Sequence, residues 1–364
     1  MERKHGGNVY QVARQLGVKV ETIIDFSASI NPLGYSPRIK KALSSYEHAI
    51  INYPDTKSYD FLQALSSYHD LPPENFIGGN GSTEFIHLLP GIIRPKSVLI
   101  VAPAFTEYEH SFQRAKGVVF YFDTYEKDRF EIQKKRLVEE LKRGYSALYI
   151  CNPGNPTGGL LPAETMNEIV TFACKKGTNV IADETFMDFS EKHSIKHHVK
   201  NFDNLFVLRS MTKFFALPGL RAGYMILHAR AVERFKEKQV PWSMNALAQQ
   251  AGSESLNDSA YIKKTIKYIQ EARSALVAEL KKISSLTVFN SSANFLLLKL
   301  NESARVTTGD IYEKLLQKGI VIRTCEDFKG LGERFFRIAV KKKNENKKLV
   351  TELQAILKAK KQKS

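Results

Sequence analysis

Between residues 98 and 227 the chain repeats one pattern, a short apolar run followed by a longer stretch whose apolar residues recur at helical spacing. Strands are expected at 98–101, 118–122, 147–150, 180–182, 205–208 and 224–227, with helices between them such as 131–143 and 163–176. Short apolar runs that do not alternate suit strands buried on both faces, and helical connections make such strands parallel. The expectation is an α/β fold: a large domain built on a mostly parallel sheet with helices on both faces. Beyond Pro241 the pattern changes to long helices, 243–256 and 260–283, and then to short strands at 286–289, 295–300, 321–323 and 335–340, a smaller α+β domain. The division is 1–40 for an N-terminal arm and part of the small domain, 41–240 for the large domain and 241–364 for the rest of the small one. A chain of 364 residues is long enough for both cores.

In an open sheet of this kind ligands bind beyond the carboxyl ends of the strands, so polar residues at those tips are the candidates for chemistry. Strand 147–150 runs into Asn152-Pro153-Gly154-Asn155-Pro156-Thr157-Gly158, too rigid and polar to continue it. Strand 180–182 ends on Asp183-Glu184-Thr185-Phe186, and strand 205–208 leads to Ser210-Met211-Thr212-Lys213. Lys213 has a hydroxyl three residues before it and Arg221 eight after it, with Pro218-Gly219 making the bend. That spacing suits an amine that forms a Schiff base with pyridoxal phosphate while its neighbours hold the phosphate. Asp183 suits the anion such a cofactor needs beside its pyridine nitrogen, which makes the ring an electron sink. Alone, Asp183 would read equally well as a helix cap. Thirty residues before Lys213, and after the Asn-Pro-Gly segment, the cap reading loses. Gly81-Ser82-Thr83 opens a helical stretch, 83–93, whose free N–H groups and positive end favour the cofactor phosphate; a capping serine with no ligand is the competing reading.

Together the three strand tips resemble the fold-type I pyridoxal phosphate enzymes of the class I/II aminotransferase group. A closer resemblance comes from His5-Gly6-Gly7-Asn8, the stretch from Ile24 to Gly34, Gly79 to Glu84, Pro241 to Gln249 and Arg334 to Val340. These segments resemble the L-threonine O-3-phosphate decarboxylases of cobamide (cobalamin) assembly, relatives of the histidinol-phosphate aminotransferases. The resemblance spans about residues 5 to 340.

It implies Lys213 and Asp183 as catalytic residues. It implies a cofactor site of Gly81, Ser82, Thr83, Phe105 stacked on the ring, Asn155 on the phenolic oxygen, Ser210, Arg221, and Tyr53 reaching the phosphate from a partner subunit of a homodimer. For the substrate it implies Arg337 on the carboxylate, Arg323 with His5 on a phosphate, and Asn31 and Asn155 nearby. Many aminotransferases carry a tyrosine three residues after the aspartate, where this chain has Phe186. That substitution leaves Asn155 alone on the phenolic oxygen and leans toward decarboxylation. Threonine phosphate and serine phosphate stay open, since one methyl in a pocket is worth only about 1–3 kcal/mol.

Composition excludes several other classes. No apolar run approaches the roughly 20 residues that span a bilayer, and no apolar stretch follows Met1-Glu2-Arg3-Lys4-His5 as a signal peptide would require. Cys151, Cys174 and Cys325 are odd in number and lack metal-type spacing, which suits a reduced cytoplasm and no metal site. The net charge of +16 is partly a tail effect: residues 341–364 hold nine lysines against Glu345 and Glu352. Leu349, Val350, Leu353, Ile356 and Leu357 in that segment are spaced as an amphipathic helix with a solvated basic face. A nucleic-acid partner would need a binding domain for which the chain has no room, and the remaining positive excess suits a small phosphorylated substrate and a phosphorylated cofactor.

Overall fold

A computed structural model describes residues 6–43 and 47–358. Its large sheet has seven strands: β1 (Phe76–Asn80), β2 (Ser97–Ala102), β3 (Val118–Asp123), β4 (Ala147–Cys151), β5 (Asn179–Asp183), β6 (Leu205–Ser210) and β7 (Ala222–Leu227). They lie in the order β1-β7-β6-β5-β4-β2-β3. Only β7 runs antiparallel to its neighbours β1 and β6. Alternate residues of each strand feed two separate cores. Leu148, Ile150, Val180, Ala182, Leu205 and Val207 pack on one face. Tyr149, Ile181, Phe206 and Leu208 pack on the other. Helices cover both faces, which is why these strands read as continuous apolar runs.

β1 was not foreseen, because Gly78, Gly79 and Asn80 follow Phe76 and Ile77 and remove the apolar signal. The structure needs those glycines: a Cβ at Gly79 would stand 2.5 Å from Glu84 Oε2, and one at Gly78 2.9 Å from Met244 Sδ. The helix expected at 131–143 is shorter, Lys134–Leu141.

The second sheet holds β8 (Leu286–Val288), β9 (Phe295–Leu300), β10 (Arg323–Thr324) and β11 (Phe335–Ala339), in the antiparallel order β10-β11-β9-β8. The strand expected at 321–323 is divided. Ile320–Val321 pairs in parallel with Ile24–Asp25 near the N-terminus, and Arg323–Thr324 turns into the small sheet. The helices Ser259–Leu280, Thr308–Leu316 and Lys343–Lys358 pack on this sheet, and the last buries Leu349, Val350, Leu353 and Ile356. Its basic residues stay outside that core, as the spacing predicts. The helix Ala246–Leu256, past the expected 240/241 boundary, packs instead with the core of the large sheet. Gly252 allows this, since a Cβ there would lie 2.5 Å from the Phe61 ring. Among the described residues no helix is long and apolar enough to cross a membrane.

Candidate active site

Strand pairing gathers the polar tips. Ser210 pairs with Gly223 across β6 and β7, and Gly223 pairs with Gly79 across β7 and β1. Ala222 stands opposite Asn80, so Arg221 and Gly81 follow the same edge of the sheet. Gly81 has φ 75° and caps the helix Ser82–Ile93. A Cβ at Gly81 would meet Arg221 Nη2 at 2.5 Å, and one at Gly223 would meet the Ser82 amide nitrogen at 2.3 Å. The two glycines thus let a guanidinium and a helix N-terminus close on one point. Ser210 lies beside them, its hydroxyl accepting from the Thr212 N–H at 3.2 Å. This is a cradle for a phosphate.

A cavity of about 200 Å³ opens from it. Its walls include Ser82, Thr83, Phe105, Asn155, Asp183, Phe186, Ser210, Lys213, Arg221, Arg323 and Arg337, so most of the residues expected from the sequence meet here. Among the described residues of the wall four are Lys or Arg and Asp183 is the sole carboxylate, so the cavity attracts anions. Burial pushes the Lys213 amine down to about 8, and the positive charges of Arg337 and Arg221 add to the effect. An amine so placed is partly neutral near physiological pH, as a nucleophile requires.

Asp183 is buried at the end of β5. Its Oδ1 accepts from the Thr185 N–H at 2.9 Å and its Oδ2 from the Tyr108 hydroxyl at 2.5 Å. Burial pushes its carboxyl up, and the bonds from Thr185 and Tyr108 oppose that. Sequence reasoning missed Tyr108; its one signal was its place a helical turn after Phe105, whose ring it meets edge-on at 5.7 Å.

The substrate side is built by the small sheet. Arg323 and Arg337 are paired directly across β10 and β11, like charges on neighbouring strands. Such a pair is unfavourable without an anion. Arg323 Nη2 has one, Asp327 Oδ2 at 2.6 Å, and its guanidinium lies 5.0 Å from the Phe328 ring centre. The anionic partner that an arginine in this apolar strand requires is therefore already within the chain. Arg337 has no carboxylate partner among the described residues. Its Nη1 donates to Asn155 Oδ1 and its Nη2 to Ser27 O at 3.0 Å, while Nε is buried without an acceptor. Burial pushes its guanidinium down to about 10, and Arg323 contributes. Asn155 spends its oxygen on Arg337, so what it can offer a further group is its amide N–H. Phe186 packs edge-on at 4.9 Å against Phe295, over which the Arg337 guanidinium lies at 5.1 Å.

Three expected residues lie elsewhere. Asn31 is a correction: it is buried below the cavity and absent from its walls. Its amide donates to Phe214 O at 2.9 Å and Tyr261 Oη at 2.8 Å, and its backbone N–H to Lys213 O at 3.0 Å. It fixes the Lys213 segment, a task that a polar residue in a loop does not announce in sequence. Tyr53 is 81 % exposed, stacked on Trp242 at 4.7 Å and away from this chain's own cavity. His5 lies outside the described residues. Its neighbour Gly6 is on the cavity wall, where a Cβ would stand 2.4 Å from Ser27 O.

The sequence pattern of class I and II aminotransferases matches residues 21–353. The chain is 34% identical over 356 residues to a threonine-phosphate decarboxylase of Salmonella typhimurium, covering 97% of this chain and 96% of that one. It is 29% identical to an adenosylcobalamin biosynthesis bifunctional protein of Leptospira interrogans, over 95% of this chain but 40% of that longer protein. The crystal structure of a histidinol-phosphate aminotransferase from Clostridium acetobutylicum superposes with a TM-score of 0.85 at 31% identity, covering 92% of this chain and 99% of that one. With this sheet order, these strand tips and a family match across most of its length, the chain belongs to the class I and II aminotransferase family, with the fold-type I architecture.

Proposed function

We propose that this protein binds pyridoxal phosphate and decarboxylates L-threonine O-3-phosphate to (R)-1-aminopropan-2-ol O-phosphate and carbon dioxide, serving cobamide assembly as the decarboxylases it resembles do. The observation that carries the substrate class is the cross-strand pair Arg323 and Arg337 on the cavity wall. Arg337, without a carboxylate among the described residues, calls for one anionic group, and Arg323 beside it can take a second in place of Asp327. An amino acid bearing a phosphate has both. The decarboxylase relative, similar along nearly its whole length, supports the choice of reaction.

The residues present fit the cofactor. The glycine-lined cradle of Ser82, Ser210 and Arg221 suits its phosphate, Asp183 its ring nitrogen, the Asn155 amide its phenolic oxygen, Phe105 its ring face and Lys213 its aldehyde carbon. When bound, pyridoxal phosphate supplies the electron sink that accepts the electrons of the broken Cα–carboxylate bond. Arg337 holds the departing carboxylate by its forked N–H groups, Nε included. Arg323 meets the substrate phosphate, dividing its N–H groups between that phosphate and Asp327 or exchanging the carboxylate for the phosphate. Lys213 returns a proton to Cα, for which an amine titrating near 8 is well matched. Tyr53, exposed and next to Trp242, completes the phosphate cradle of a second copy in a homodimer.

The test is product formation. Purified protein supplied with pyridoxal phosphate should convert threonine phosphate to aminopropanol phosphate, and borohydride should fix the pyridoxyl group on the peptide that contains Lys213. Conversion of histidinol phosphate with 2-oxoglutarate, and none of threonine phosphate, would give the chain to the aminotransferases. Fixation on another lysine would refute the site.

A further inference from the structure

Asp183 is the sole carboxylate among the described residues of the cavity wall, and one of its two oxygens is held by a residue that the proposed chemistry has not used. The Tyr108 hydroxyl donates to Asp183 Oδ2 at 2.5 Å. This geometry is held from several sides. The Tyr108 ring stacks on Tyr149 at 3.8 Å with 17° between planes, and Phe105 meets it at 87°. Its helix, Thr106–Arg114, begins directly after Phe105, and the Ser111 hydroxyl ties back to Tyr108 O at 2.8 Å. Tyr108 is 1 % exposed, so water does not compete for the bond. The other titratable groups packed here, Tyr149 and Cys151, are both pushed up by burial and carry no charge. Among the described residues the donors that stabilise the Asp183 charge come from two residues, Thr185 by its hydroxyl and its N–H, and Tyr108 by its hydroxyl.

We propose that Tyr108 is a positioning residue for the reaction: its hydroxyl holds Asp183 ionised and fixed in direction, so that the proton shared with the cofactor's ring nitrogen stays on the nitrogen. The inference rests on the pyridoxal phosphate reading given above. Its physical basis is that a buried carboxylate which loses a donor binds a proton more tightly. Without the Tyr108 hydroxyl, Asp183 would compete with the ring nitrogen for the proton, and the electron sink would weaken while substrate binding, set by arginines of the small sheet, would not.

Tyr108→Phe removes one oxygen and keeps the ring that stacks on Tyr149. Two readouts separate the inference from the reading beneath it. In the apoprotein, the Asp183 carboxyl is followed by carbon-13 NMR and identified by its loss in Asp183→Asn; Tyr108→Phe should raise its titration midpoint by about one unit or more. In the loaded enzyme, nitrogen-15 in the cofactor ring reports protonation directly. Wild type should stay protonated across the working pH range, and Tyr108→Phe should shift toward the unprotonated signal, with kcat down about tenfold or more and KM nearly unchanged. A nitrogen signal equal to wild type, or an Asp183 titration that does not move, overturns the role of Tyr108 and leaves the cofactor reading standing. Wild-type protein that takes up no pyridoxal phosphate overturns both.

Discussion

Replacing Arg337 by methionine separates a binding arginine from a structural one. The folded protein holds this side chain at 8 % exposure with two acceptors and an orphaned Nε. Its proton affinity falls from 12.5 to about 10, so at every pH below about 10 the apoprotein carries the cost of a desolvated cation, on the order of 3 kcal/mol. The cost is relieved only as pH rises from about 10 toward 12.5, outside any working range. Methionine removes that cost and also the bonds to Ser27 O and Asn155, each worth about 1–2 kcal/mol. The two roughly cancel, so the melting temperature of the apoprotein should move by only a few degrees. The reaction should respond differently. Loss of a forked, charge-assisted contact to a carboxylate is worth about 3–4 kcal/mol, a fall of roughly 10²- to 10³-fold in kcat/KM. Thermal unfolding of apoprotein and steady-state kinetics on threonine phosphate read the two effects. Breaking a buried structural ion pair would instead cost about 3–5 kcal/mol of stability. A large drop in melting temperature, with activity lost only in step with the folded fraction, would refute the argument.

Three further outcomes follow from the same site. Arg323→Ala should raise KM for threonine phosphate far more than it weakens pyridoxal phosphate binding, measured by cofactor titration; equal losses on phosphorylated and unphosphorylated substrates would leave Arg323 merely the partner of Asp327. The Lys213 amine titrates lower in the folded apoprotein than unfolded, so apoprotein stability should climb as pH rises from about 8 toward 10.5, by about 2–3 kcal/mol, and Lys213→Met should abolish the climb; denaturant midpoints at pH 7.5 and 10 check this as approximate bracketing points. Gly6→Ala should lift the N-terminal arm from Ser27 O and lower kcat/KM about tenfold or more without loss of cofactor, because its Cβ has no room; unchanged kinetics would show that the arm does not shape the pocket.

The large sheet was legible because its strands are buried on both faces and separated by helical spacing, so β2 to β7 stand out as apolar runs. β1 was hidden for the opposite reason: close approach of Glu84, Phe85 and Met244 demands glycine where a strand usually shows bulk. Residues at strand tips were readable for the same topological reason, and Asp183, Ser210 and Lys213 fell on one cavity. Contacts that depend on packing between distant segments were not. Asn31 looked like a ligand residue within a motif, yet it bonds to Phe214 and Tyr261, 183 and 230 residues away. Tyr108 reads as one more aromatic in a helix until its hydroxyl is seen on Asp183. The opposition of Arg323 and Arg337 depends on a register between two short strands that sequence periodicity does not give.

The most direct test of the central claim counts turnovers in the absence of any 2-oxo acid. The enzyme loaded with pyridoxal phosphate is mixed with excess threonine phosphate, and carbon dioxide and amine are measured per active site. Decarboxylation returns the cofactor to its aldehyde form each cycle, so carbon dioxide should accumulate far beyond one equivalent, with aminopropanol phosphate in equal amount. A single equivalent of reaction, the cofactor left as pyridoxamine phosphate and activity restored only by 2-oxoglutarate, would contradict the account.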